Sequence, residues 1–134
     1  MNSYFTVAAS MAVGMVVGGI AVGGLHAQAK PPVYVVAEND VSNSEAYGKE
    51  YATYMQALIK SHGGRQVAIG GSGGANARGI TPLEGEPPKR AIIQVWDSME
   101  KVQAWRNDPK FKELREIGNK HAKFRSYVVE GLSQ

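Results

Sequence analysis

The 134 residues contain no cysteine. Disulfides, thiolate metal sites and a lipid-modified cysteine anchor are therefore excluded. Residues 1–29 lack charge: every Lys, Arg, Asp and Glu lies at or after Lys30, with only His26 before it. The three histidines are scattered and have no supporting carboxylate spacing, so no metal site is expected. A phosphate-binding loop is missing too. In "GGSGGANARG", Gly71-x-Gly73 is followed by Asn76 where a dinucleotide fingerprint needs Gly or Ala, and no Lys-Ser/Thr follows. The stretch reads as a flexible loop that brings Arg78 near a cavity mouth at best, and no cofactor is expected. Strong charge of one sign is lacking, the net being +3. The basic excess over residues 101–125 reads as a solvated helix face with pairs such as Lys112–Glu116. No aromatic-interleaved platform accompanies it, so nucleic acid is not an expected partner.

What the first residues do have is length without charge. Tyr4 to Leu25 as a helix would measure about 33 Å, enough to cross a hydrocarbon core of roughly 30 Å. Two readings follow. Ala27-Gln28-Ala29 is an A-x-A site, and cleavage after Ala29 would leave Lys30 as the first residue of a periplasmic or otherwise extracytoplasmic domain. Against this, "MNSYFT" has no basic residue. The alternative is a retained single-pass anchor. Ser10, Gly14 and Gly18 recur every fourth residue, as do Gly19 and Gly23, a stripe that lets a membrane partner's helix approach closely. Cleavage is the preferred reading. Either way residues 1–29 form a membrane-directed segment and residues 30–134 the globular domain.

That domain alternates strand and helix. "VYVVAEN" from Val33 to Asn39 is β-rich, and Ser42-x-x-Glu45 reads as a capping box opening a helix. Tyr47, Tyr51, Tyr54 and Leu58 fall on one helical face, and Gly63 closes the helix. "RQVAIG" and "RAIIQVW" are the second and third strands. Asp97 or Ser98 caps a helix to about Asn107 that buries Val102 and Trp105. Asp108 with Pro109 restarts helix to about His121, and "FRSYVVEG" is the last strand. The β-α-β, β-α-β order predicts an α+β, ferredoxin-like split sandwich, one antiparallel sheet with its helices on one face.

"HGGR", "PLEGEPPKR", "VWDSMEKVQAW", "AWRNDPKFKELR" and "VVEG", in that order, resemble the domain of unknown function thirteen-thirty family over nearly all of Val33–Leu132. The resemblance implies a ferredoxin-like unit of the dimeric α/β-barrel superfamily, whose sheets pair across a twofold axis, and hence a homodimer. It implies no agreed activity. Superfamily relatives include cofactor-free monooxygenases, haem-degrading enzymes and lactone isomerases, and fold does not carry function.

Candidate site residues follow from strand alternation. Tyr34 and Glu38 share one face of the first strand, Gln94 and Trp96 one face of the third. The expectation is that these four gather on the sheet face away from the helices, around a cavity suited to a small, flat, partly polar ligand. The plainer reading makes them interface filling, with Glu38 paired to an arginine. His62, ending the first helix, meets its dipole or serves as a base, with Arg65 beside it. His121 reads as a buried or rim histidine near Phe111, Leu114 and Gly118. No catalytic residue is assigned.

Three functions are consistent with these residues. The first is an exported or membrane-tethered domain that dimerises and binds a small ligand or partner. The second is a cofactor-free oxygenase or isomerase using Glu38, His62 or Arg65. The third is an accessory subunit held in a membrane complex by the N-terminal helix.

Overall fold

The computed structural model describes residues 30–72 and 78–133. Four strands, β1 (Val33–Val41), β2 (Arg65–Gly71), β3 (Arg90–Trp96) and β4 (Ala122–Glu130), form one sheet in the order β2-β3-β1-β4. Every neighbouring pair is antiparallel. All the helices pack on one face, where Val33, Val35, Trp96 and Ala122 join the helical core residues in a single cluster. This is the expected ferredoxin-like arrangement. Ser10, Gly14, Gly18, Gly19, Gly23, Ala27 and Ala29 lie outside the described residues. Among the described residues, no helix is long and apolar enough to cross a membrane.

The first helix differs from its sequence reading in two ways. Its cap is Asn43, whose side chain accepts from the Ala46 N–H at 3.1 Å. Ser42 instead donates to the His121 carbonyl, tying the end of β1 to the start of β4. The helix also changes winding. After α1 (Ser44–Ala46) the segment Tyr47–Ala52 is π-helical, and α2 (Thr53–Ser61) resumes the ordinary pitch. Bonding from i to i+5 puts more residues into each turn. The buried face therefore runs Tyr47, Tyr51, Met55, Leu58, Ile59, and Tyr54 turns outward, 57% exposed. Gly63, with φ +89°, ends this helix as expected.

Ser98 caps α3 (Met99–Asn107), accepting from the Lys101 N–H, and Asp108 caps α4 (Pro109–Gly118), accepting from the Lys110 N–H. Lys101 also reaches Asp97 at 2.7 Å. The expected Lys112–Glu116 pair is not among the ion pairs of the described residues. Trp105 stacks against Trp96 with centroids 5.2 Å apart and meets Phe111 edge-on at 4.9 Å. Such contacts are worth roughly 0.5–1.5 kcal/mol each beyond burial, so they fix α3 and α4 on the sheet. Helix α4 stops at Gly118, short of His121, because the chain must turn there into β4. At the opposite sheet edge, β2 shifts register between Gln66 and Ala68. Arg78 then returns to bridge Gly70 in parallel.

Candidate functional site

The register corrects the expected gathering of side chains on the outer face. Val33 pairs with Trp96 and Val35 with Gln94, so these four share the face covered by the helices. Tyr34 and Glu38 point the other way, beside Val95 and Ala91. Alternation fixed the two sets of residues but not which set faces inward. Trp96 is large and Gln94 can spend its carbonyl on the indole N–H, at 3.0 Å, so both go inside.

A cavity of about 40 Å³ lies between this inner face and the helices. That holds roughly three water-sized spheres at about 10–15 Å³ each. Its polar lining includes residues of β1 (Asn39), the π turn (Tyr47, Tyr51), β3 (Arg90, Gln94) and α4 (Arg115), with Gln56, Gln66 and Ser126. The π winding brings both tyrosines to the same wall. Asn39 Nδ2 donates to Tyr47 Oη at 3.0 Å, and Arg90 Nη1 donates to the Ser72 carbonyl at 3.1 Å. Arg115 lies over Phe124 at 3.8 Å and Phe111 at 5.1 Å. Burial pushes the Tyr51 hydroxyl up to about 12 and holds the Arg115 guanidinium below its ordinary value.

Four buried polar atoms among the described residues lack a hydrogen-bond partner: Asn39 Oδ1, Arg90 Nε, Trp105 Nε1 and Arg115 Nε. All four belong to residues that line this one cavity. Buried polar groups are normally satisfied, so their concentration here marks the cavity out from the rest of the core. Sequence reading singled out Gln94, but for the opposite face of the sheet, and missed Asn39, Arg90 and Arg115. The available signal was polar residues in phase with the apolar face of a strand: Asn39 follows Val33, Val35 and Ala37, and Arg90 precedes Ile92.

The remaining candidates sit elsewhere. His62 Nε2 meets Asp108 Oδ2 at 2.8 Å, joining the end of α2 to the start of α4. The same contact, first, and the Lys110 N–H hold the Asp108 carboxyl below the usual aspartate range. His121 meets Glu50 at 2.8 Å. Arg65 and Arg78 are exposed. None of Glu38, His62, Arg65 and Arg78 lines the inner cavity. Glu38 is held on the outer face by Arg125 Nε and Tyr127 Oη, each at 3.4 Å. That face is largely apolar. Tyr34, Val36, Ile93, Val95, Tyr127 and Val129 alternate onto it, the last two 42% and 48% exposed.

The family described as Domain of unknown function (DUF1330) matches residues 32–132. The chain belongs to this family. No curated protein matches this DUF1330 chain. Solved structures do. SnoaB, a cofactor-independent oxygenase from Streptomyces nogalater, superposes with a TM-score of 0.54 at 10% identity, over 78% of this chain and 96% of its own. A protein of unknown function from Rhodopseudomonas palustris gives 0.52 at 16%, over 78% and 85%. A conserved protein of unknown function from Bacteroides thetaiotaomicron gives 0.50 at 17%, over 76% and 99%. At these identities the likeness is one of fold: this DUF1330 domain has the ferredoxin-like, SnoaB-like architecture.

Proposed function

We propose that this DUF1330 domain binds a small molecule in the cavity between its sheet and its helices. The observation that carries this reading is the clustering of unpartnered Asn39, Arg90, Trp105 and Arg115 atoms around one space. A ligand satisfies such atoms where packing within the domain does not. Binding is favoured over acid–base catalysis because the lining has no Asp, Glu or His, and Tyr51 holds its proton to about 12. Native mass spectrometry of the protein taken from its own host tests this. A retained small molecule, absent when Ala37→Leu fills the cavity, is the expected result. Equal retention by both forms would place the ligand elsewhere, and an empty protein would sink the reading.

The domain pairs with a second copy through the apolar outer face of its sheet, in the manner of a dimeric α/β barrel. Exposed Tyr127 and Val129 beside Tyr34 and Val36 support this, since such a patch on a small domain is costly to leave in water. Residues 1–29 direct the domain to or across a membrane, a reading supported by their freedom from charge and by Ala27-Gln28-Ala29.

A further inference from the structure

We infer that the cavity's ligand is a small organic carboxylate held by Arg90; this rests on the cavity being a ligand site. Arg90 opens β3 on the inner face and is 4% exposed. Its Nη1 has the Ser72 carbonyl, while Nε–H has no partner. A neutral carbonyl does not compensate a guanidinium taken out of water. The sequence holds 12 acidic residues, all among the described ones, and none forms an ion pair with Arg90.

Arg115 differs in an instructive way. Its charge faces the rings of Phe124, Phe111 and Tyr51 at 3.8, 5.1 and 5.7 Å, a cage that accounts for it within the fold. The one ring beside Arg90 is Tyr47, at 5.8 Å, the outer limit of such contacts. Among the described residues, Arg90 is thus the buried cation left without a counterpart.

Its neighbours reinforce the sign. Asn39 Nδ2 donates to Tyr47 Oη, which leaves the tyrosine's own O–H to give. With the Asn39 amide turned over, Tyr47 donates to Asn39 and the amide N–H groups are free instead. Either way this pair has a proton to offer in the cavity that Arg90 also lines. A carboxylate accepts from both, and its planar oxygens fit a guanidinium better than a spherical anion does. The size of the cavity, about 40 Å³, suits formate or acetate; a larger acid requires the helices to move.

Calorimetry and thermal melts of the full chain with sodium acetate, against acetamide and sodium chloride at equal ionic strength, test this. Acetate is expected to bind saturably and raise the melting temperature, with acetamide and chloride without effect. Arg90→Gln should weaken acetate at least about tenfold, and Arg90→Lys, which keeps the charge but loses the planar fork, should weaken it less. The acetate–acetamide comparison needs no variant, so a misfolded Arg90→Gln protein does not remove the test. Acetamide binding as well as acetate would overturn the inference while leaving a ligand cavity in place. An equal response to chloride, or none to any of the three, would also overturn it. The cavity reading itself then stands or falls on the retained molecule.

Discussion

The ring of Tyr51 lies against the bare Cα of Gly118: a Cβ built there would stand 2.7 Å from Tyr51 Cδ2 and 3.0 Å from Phe124 Cζ. Tyr51 also packs on Tyr47 and Phe124, both with centroids 5.2 Å away, which resists displacement of its ring. Gly118→Ala is therefore expected to destabilise the domain by about 1–3 kcal/mol, despite alanine's better helix propensity. Urea unfolding measures this, and an unchanged midpoint would mean that the rings move freely.

Tyr51 should also shape the alkaline limit. Its hydroxyl is raised from 10.0 to about 12 chiefly by burial. The folded state thus holds the proton more tightly than the unfolded chain. The resulting stability is complete below 10.0 and is lost as pH climbs toward about 12, up to roughly 3 kcal/mol. Tyr51→Phe should flatten this alkaline decline, read by denaturant midpoints at successive pH values.

Asp108 acts at the acid end. Its folded-state value lies below 3.8 because of His62 and the Lys110 N–H. Its contribution is therefore complete above 3.8 and fades as pH falls through the lower folded value. Asp108→Ala removes both the α4 cap and the tie to α2, and should lower stability at neutral pH. Below the folded value the difference due to the carboxylate's charge should vanish, so thermal melts at the two pH values give different gaps.

Val129 probes the outer face. It is 48% exposed, so Val129→Glu should leave the fold intact and split the proposed dimer. Light scattering should give twice the chain mass for the natural protein and the single mass for the variant. Wild-type protein already at the single mass would remove the dimer.

Residues 1–29 give the simplest measurement. Intact mass from soluble and membrane fractions of the native host should show a chain starting at Lys30 in the extracytoplasmic fraction. A full-length chain confined to membranes would favour an anchor, with Gly14→Leu and Gly18→Leu then expected to release a membrane partner.

Much of the fold was legible because its signals are local. Ser98, Asp108 with Pro109, and Gly63 mark helix ends through contacts with residues one to three positions away, and the structure keeps all of them. The candidate site was less legible because its signals are relational. Alternation separates Gln94 from Val95 but says nothing about which meets the helices. That depends on the register with β1, set by pairs such as Val35 with Gln94. Tyr54 was misplaced for a similar reason, since a π turn shifts the phase of every residue after it. Arg90 was overlooked because a charged residue at the start of a strand ordinarily marks its solvated end.

The sheet's two borders are unlike. The β2 border is broken by its register shift and covered by Arg78, whose backbone bonds Ile69 and Gly71 at 2.9 and 2.8 Å. Among the described residues, the β4 border has no neighbouring strand in the sheet. A sheet with a single receptive border is a terminator: a strand added there leaves no second border for the next one. Growth into a fibre needs two receptive borders, and the strand-like return at Arg78 takes one away.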